Sequence, residues 1–387
     1  MKITIDASPL LSATETGGAR YTRKLINAIA QLSEDTNNNE YVLFFQTFKP
    51  SVWKYYESKK SSLSNPNFSF KTTRFPRYLL EILWDKIGLR FPPIEYFSGK
   101  SDIFHSISYR APLTKNSKLI STIFDLTVIK MPFLYPDSVK PFYFWVKKAA
   151  ERSDMIITIS HSSKKDIVEL LGIPPSKIAV TYLAHDEKFK PISDKTEIAK
   201  VVAKYGIAAP YILYVGTLGR NKNLPRLVRA FKIFKERLPD AAHKLVIVGA
   251  KAWRHEEITQ SVIETGLSGD VIMPGYVDEI DLPFIYNGCD AFAYVSLYEG
   301  FGLPALEAMA CGKPSVLSGN SSLPEVAQDA AILVNPLDIG EIADAFIKLF
   351  SDDNYKKTLS RKAIERASQF SWKRCASETL GVYSSLL

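Results

Sequence analysis

Short apolar runs alternate with amphipathic stretches along almost the whole chain, and the alternation starts afresh near residue 211. In the first half KITIDA, EYVLFF, DIFHSI, LISTIFD and DMIITIS have the length and apolar content of strands. Between them, YTRKLINAIAQL and HSSKKDIVELLG carry apolar residues at helical spacing, with Ser160 and Ser162 as candidate N-caps of the second. In the second half YILYVGT, KLVIVGA, DVIMPGY, AFAYVSL, PSVLSG and AAILVN alternate with helices such as RLVRAFKIFKERL. A chain that inserts a helix between successive strands pairs them in parallel. The expected class is α/β, with two domains of this grammar. Ligands are expected at the C-terminal ends of the strands, in a cleft between the domains.

At 387 residues, two domains are also the expectation from length. Lys, Pro, Ser and Asp collect at 189–209, which reads as a linker between an N-terminal domain (1–188) and a C-terminal domain (210–365). The segment 366–387, with SWKRCASETLGVYSSLL, reads as a final helix. The net charge of +8 is unevenly placed: residues 1–205 hold 30 Lys and Arg against 20 Asp and Glu, and the remainder 19 against 21. Such an excess suits an anionic partner or a solvated basic surface. RFPRYLLEILWDKIGLRF (74–91) sets Arg77, Lys86 and Arg90 among apolar residues at helical spacing, the pattern of a core-packed helix or of an anionic membrane surface. No zinc-finger, basic-zipper or RNA-binding-sheet signature accompanies the charge, so nucleic acid is not an expected partner. Cys289, Cys311 and Cys375 lack C-x-x-C spacing and the histidines form no H-E-x-x-H, so neither a disulfide framework nor a metal site is expected. With no apolar stretch of signal-peptide or bilayer-spanning length, the expected location is cytoplasmic.

EGFGLPALEAMACG (299–312) is the densest candidate for chemistry. Gly300 and Gly302 allow a tight turn and close approach of another molecule. Pro304 suits the start of a helix and Gly312 its end. The helix start offers N–H groups and partial positive charge to a phosphate. Glu299 and Glu307 beside it would repel a phosphate, so they suit hydroxyl groups instead. A nucleotide-sugar supplies phosphates flanked by hydroxylated rings. A helix with acidic residues near its start, stabilised by its dipole, accounts equally for the spacing alone. GTLGRNK (216–222) has two glycines followed by two cations, and no G-x-G-x-x-G follows the first strand, which weighs against a dinucleotide-binding oxidoreductase.

With these residues in view, the sequence resembles the retaining glycosyltransferases of family 4, which have the GT-B fold of two Rossmann-like domains facing each other across a cleft. SLYEGFGLPALEAMACGKPSV is similar to the family's E-x7-E signature, and SSLPEVAQDAAILVNP to the segment after it. YVGTLGRNKNL is similar to its cationic phosphate loop, TGGARYTRKL to its N-terminal glycine loop, and DMIITISHSSKKDIVELLGI to its mid-chain strand–helix unit. The resemblance implies that Glu307 binds the ribose hydroxyls of the donor and Glu299 the hydroxyls of the transferred sugar. The backbone of Gly300, Phe301, Gly302 and Leu303 would meet the sugar and diphosphate, while Gly17 and Gly18 would close over the phosphates from the other domain. Gly216 belongs to the phosphate loop. Arg220 and Lys222 match the cations that neutralise the departing diphosphate, and Tyr276 and Val277 stand where the backbone meets the base. The C-terminal helix would cross back toward the first domain.

Two departures stand out. Relatives often read PRKN where this chain has GRNKN, which shifts Arg220 by one residue. Many have histidine where this chain has Phe124, so no catalytic histidine carries over there. Asp125 and His105 are weaker acceptor-side candidates, each with a loop hydrogen bond as its alternative. Trp253 reads as a packing residue.

The activity implied is retaining transfer of a hexose from a UDP- or GDP-sugar to a saccharide or lipid-linked saccharide in exopolysaccharide or O-antigen-like assembly. The chain has no D-x-D motif, and the family needs no divalent metal or other cofactor. Arg220, Lys222 and Glu299 are the expected catalytic set, and Glu299 reads as a sugar-binding residue rather than a covalent nucleophile. A GT-B isomerase or epimerase of nucleotide-sugars, and a non-catalytic partner in a polysaccharide assembly complex, are the competing readings.

Overall fold

The computed structural model describes residues 1–12, 16–36, 39–47, 65–139, 141–250 and 256–387; the Trp253 reading lies outside these described residues. The chain divides into two units, one of Met1–Leu183 with Trp372–Leu387, the other of Ala184–Ser371. Each is built around one parallel sheet.

In the first unit the strands are β1 (Lys2–Asp6), β2 (Glu40–Gln46), β3 (Phe68–Thr73), β4 (Ile103–Ser106), β5 (Lys118–Thr122), β6 (Met155–Thr158) and β7 (Ile178–Val180). They lie in the order β3-β2-β1-β4-β5-β6-β7. Ile3, Ile5, Leu43, Ile103, Phe104, Ile120, Ile156 and Ile157 are buried, as strands covered on both faces require. The helices α1 (Gly17–Thr36), α2 (Arg77–Glu81), α3 (Phe142–Arg152) and α4 (His161–Leu171) lie between strands. Ser160 caps α4 by accepting the Ser163 N–H at 3.0 Å, so of the two candidate caps Ser160 has the role and Ser162 lies inside the helix. The 74–91 stretch splits in two. Leu80 and Trp84 are buried on α2 and the wide turn that continues it to Ile87, and Gly88, at φ 78°, ends the turn. Ile87, Leu89 and Phe91 are then 61, 50 and 67% exposed.

In the second unit β8 (Tyr211–Val215), β9 (Lys244–Val248), β10 (Val271–Gly275), β11 (Ala291–Tyr294), β12 (Ser315–Ser318) and β13 (Ile332–Val334) lie in the order β10-β9-β8-β11-β12-β13. The first strand of each unit is therefore flanked by its second and fourth, and the direction of winding reverses beside it. Open α/β sheets bind ligands outside the carboxyl ends of the strands at such a switch point.

The linker expectation at 189–209 is corrected. A helix, α5 (Lys195–Lys204), occupies most of it, with Asp194 capping the N–H groups of Thr196 and Glu197. Val201 and Val202 are buried, and the second unit begins already at Ala184. Charged residues on the exposed face of this helix gave the segment the composition of a linker. The remaining helices are α6 (Leu224–Arg237), α7 (Glu256–Glu264), α8 (Leu282–Gly288), α9 (Leu303–Ala310), α10 (Leu323–Ala327), α11 (Ile339–Ser351), α12 (Asp353–Ala367) and α13 (Trp372–Ser384). The last, α13, belongs to the first unit and packs on α1, with Cys375, Ala376, Thr379 and Tyr383 buried.

Candidate active site

In the second unit the loops that leave β8 and β11 meet at the switch point. After Val215 the chain passes Gly216, whose N–H donates to Val248 O at 3.0 Å. Gly249 then donates to Gly275 O at 2.8 Å. A Cβ on Gly249 would lie 1.9 Å from Gly216 O, so only glycine lets these loops pass. Sequence reading singled out Gly216 and missed Gly249, because the crossing depends on which strands are neighbours. The β8 loop ends in a single turn, Arg220–Lys222, stopped by Asn223 in the left-handed region at φ 60°. The buried Asn223 amide donates to Val295 O at 2.9 Å and to Pro336 O at 2.6 Å, stitching this loop to the one after β11.

The stitching brings Lys222 and Glu299 together. Lys222 Nζ lies 2.7 Å from Glu299 Oε1, with the side chains 15 and 10% exposed. Lys222 also donates to the Tyr294 hydroxyl at 3.2 Å, close enough to Glu299 for its charge to act on the phenol. Tyr294 is buried at the end of β11 and stacks on Tyr214 at 5.5 Å. Burial, then the nearby Glu299 charge, holds its phenol well above the ordinary range, so it stays protonated and able to donate. Arg220 turns to α7, where its Nε is 3.3 Å from Glu257 Oε2.

The β11 loop is anchored through Glu299, whose N–H donates to Ser321 Oγ at 3.1 Å and whose carbonyl accepts from Ser322 Oγ at 3.0 Å. Gly300 is buried, and the Phe301 ring is buried edge-on to Phe370. Gly302 adopts φ 97°, and a Cβ there would come within 2.5 Å of Leu323 Cδ2. It turns the chain into α9, with Leu303 and Pro304 in the first turn. Glu307 is 2% exposed and accepts from Tyr286 Oη at 2.9 Å. Burial first, and then Glu307, raises the Tyr286 pKa well above its ordinary value, so this phenol too remains a donor. Neither Tyr286 nor Tyr294 was singled out from the sequence; Tyr286 holds Glu307, and Tyr294 accepts from Lys222. Tyr276 is exposed and Val277 buried, just beyond Gly275 at the end of β10.

The first unit holds the other candidates. Gly17 and Gly18 open α1, whose Ala19 N–H donates to Thr16 Oγ1 at 3.2 Å. A Cβ on Gly17 would meet nothing within 4 Å, and one on Gly18 only Phe124 Cε2 at 3.7 Å. Neither packing nor a positive φ demands glycine at these two positions. Asp125 Oδ1 accepts from Thr127 N at 2.9 Å and Thr127 Oγ1 at 2.6 Å, a turn-closing role. His105 is fully buried: Nδ1 is 2.7 Å from Tyr383 Oη, and Nε2 is 2.8 Å from Thr122 Oγ1. Desolvation pushes its pKa down to about 3. The ring is an internal tie between β4, β5 and α13, with both nitrogens engaged, and this replaces the expectation of an acceptor-facing group. At this unit's switch point Arg77 joins Asp6 (3.1 Å) and Glu81 (3.3 Å), and Arg110 reaches Glu81 at 2.9 Å. Among the described residues no three His, Cys, Asp or Glu side chains gather as a metal site would need, and no helix is long and apolar enough to cross a membrane.

Two such sheets, with a phosphate-type loop and an E-x7-E loop at one switch point, define a GT-B glycosyltransferase architecture. Solved structures share it: sucrose-phosphate synthase from Thermosynechococcus elongatus (TM-score 0.72, 21% identity, 100% of this chain and 98% of that one). So does HepE of Anabaena in complex with UDP and glucose (TM-score 0.73, 19% identity, 100% of each chain). The family described as "Glycosyl transferases group 1" matches residues 197–366. O-antigen chain mannosyltransferase B of Escherichia coli is 31% identical over 289 residues, 74% of this chain and 75% of that protein. Serotype-specific mannosyltransferase WbdA of Escherichia coli is 28% identical over 301 residues, 76% of this chain; the match spans 36% of that protein's length. The chain belongs to the group 1 glycosyltransferases and is itself a glycosyltransferase.

Proposed function

We propose that the protein moves a hexose, with retention and without a divalent metal, from a nucleotide diphosphate sugar to a saccharide or lipid-linked saccharide during polysaccharide assembly, as expected of family 4. The observation that carries this reading is the convergence of Lys222, Glu299 and Glu307 around the glycine turn at the start of α9. In the proposed reaction the bond from the anomeric carbon to the diphosphate breaks. Lys222, Arg220 and the N–H groups at the α9 start stabilise the charge on the leaving oxygen. The acceptor oxygen forms its bond on the same face, and its proton passes to the leaving phosphate. Glu299 and Glu307 hold the hydroxyls of sugar and ribose. The mannosyltransferase relatives favour mannose as the hexose.

Thermal stabilisation by a panel of UDP, GDP, UDP-glucose and GDP-mannose, with wild type beside Glu307→Ala, tests the reading. Binding raises native stability by RT ln(1 + [L]/Kd), so the preferred donor stands out and Glu307→Ala loses its shift. No shift with any ligand would remove the donor site.

The first unit's surface supports an anionic membrane as a further partner, with the protein peripheral on its cytoplasmic face. Lys86, Ile87, Leu89, Arg90 and Phe91 are exposed together. The acidic residues of the stretch turn inward: Glu81 to Arg77 and Arg110, Asp85 to Arg152 at 2.5 Å. Cations and apolar side chains then face outward, as a bilayer interface favours. Neutralising Lys86 and Arg90 is expected to weaken sedimentation with phosphatidylglycerol vesicles about thirtyfold, near 1 kcal/mol per cation; unchanged binding would count against a membrane role for this face.

A further inference from the structure

Lys222, the cation proposed to meet the leaving diphosphate, is already held by a carboxylate, with 2.7 Å between Nζ and Glu299 Oε1. Both partners stand on fixed backbone. Ser321 and Ser322 hold Glu299 from both sides of its peptide, and Asn223 fastens the Lys222 turn to Val295 and Pro336. The Tyr294 hydroxyl accepts a further hydrogen bond from the Lys222 ammonium at 3.2 Å. Arg220 is likewise opposed by Glu257. The carboxylate charge therefore stays within reach of whatever the ammonium binds.

A diphosphate placed on Lys222 meets a second anion at the same ammonium. For a bare nucleoside diphosphate this repulsion subtracts directly from binding. An intact nucleotide-sugar differs, because its hexose hydroxyls can donate to Glu299 and turn the repelling carboxylate into a partnered acceptor. We infer that Glu299 is a specificity-determining counter-ion, which weakens the hold of the site on the nucleoside diphosphate product relative to the intact donor. Catalysis by charge stabilisation alone would trap the product, since the leaving group carries the charge that the cations attract. A fixed carboxylate beside Lys222 counters that trap while still accepting the donor sugar. The inference deepens the donor-site reading above and rests on it.

The test is titration calorimetry of the full chain with UDP, GDP, UDP-glucose and GDP-mannose, comparing wild type with Glu299→Gln, Glu299→Asp and Lys222→Gln. Glutamine keeps the shape and can still accept from Lys222, so only the charge is lost. Glu299→Gln is expected to bind the preferred nucleoside diphosphate about tenfold more tightly and its sugar more weakly, reversing the preference. Glu299→Asp, which keeps the charge, is expected to keep the wild-type weakness for the diphosphate, an outcome that a purely structural role for Glu299 does not produce. Unchanged or weaker diphosphate binding in Glu299→Gln, with binding lost in Lys222→Gln, overturns the counter-ion role and leaves the donor site standing. Diphosphate binding untouched by Lys222→Gln overturns the donor-site reading itself. Melting curves of each variant establish that the second unit is folded.

Discussion

At the switch point of the first unit, Arg77 and Arg110 share Asp6 and Glu81, and Arg77 also donates to the Arg110 carbonyl. At the switch point of the second, Lys222 and Arg220 meet separate carboxylates, Glu299 on the loop after β11 and Glu257 on α7. The strand order is the same in both places. In the first unit the charges form a closed network, two arginines against two nearly buried carboxylates, which ties β1, α2 and the loop after β4 together. In the second they form separate pairs, one of them beside the glycine turn at the start of α9. The same architecture thus joins its ionic groups in one network in the first copy and holds them in separate pairs in the second. The glycines follow the same division. Gly249 is required by packing against backbone and Gly302 by its φ of 97°, whereas neither demand falls on Gly17 or Gly18.

Three experiments test this difference between the two units. The largest contrast is between Lys222→Gln and Arg77→Ala. Lys222→Gln is expected to lower turnover by about 10²–10³, as for a lost transition-state charge partner, with a smaller loss of stability than Arg77→Ala because the glutamine amide can still donate to Glu299. Arg77→Ala leaves Asp6 and Glu81 short of a partner and is expected to destabilise the first unit by about 3–5 kcal/mol. Denaturant melts and steady-state rates on both variants check it, and a reversal of the two phenotypes would sink the division of labour.

The glycine pair comes next. Gly249→Ala forces a methyl against Gly216 O and is expected to cost about 3 kcal/mol or more. Gly18→Ala is expected to leave stability unchanged or raised by up to about 1 kcal/mol, since alanine suits a helix better, while donor turnover falls. Intact turnover in Gly18→Ala would remove the phosphate role of the N-terminal glycine loop.

The smallest effect concerns pH. Buried His105 stays neutral down to about pH 3, whereas a histidine in the unfolded chain takes up a proton near its ordinary value of about 6.5. Between these values the unfolded state binds the extra proton, so the contribution is complete above pH 6.5 and is lost as the pH falls. Acidification from pH 7 to 5 is expected to cost about 2 kcal/mol through this group. His105→Gln should flatten the stability–pH curve over that range, and an unchanged slope would return His105 to a solvated position.

Much of this was legible in the chain itself. The alternation of apolar runs and amphipathic stretches was enough to specify two parallel α/β sheets, because local hydrophobic period and length reflect local geometry. The glycine turn and the start of α9 were readable for the same reason, since turn and helix-end preferences act over a few residues; the two carboxylates were readable as residues, but their partners were not. The segment 189–209 misled because composition alone cannot separate an exposed helix face from a linker; the Asp194 cap and the apolar spacing of Val201 and Val202 were the signal available. His105 misled because a polar residue at a strand end looks the same whether it faces solvent or the C-terminal helix 278 residues away.

Tertiary structure alone decided which groups face one another. Lys222 meets Glu299 across 77 residues because β11 inserts beside β8. Tyr286 reaches Glu307 because α8 and α9 flank the same strand. Gly249 became indispensable only when β9 took its place on the other side of β8. Sequence period determines which face a residue occupies. Strand order and register, set by burial of the whole sheet, determine what lies opposite it.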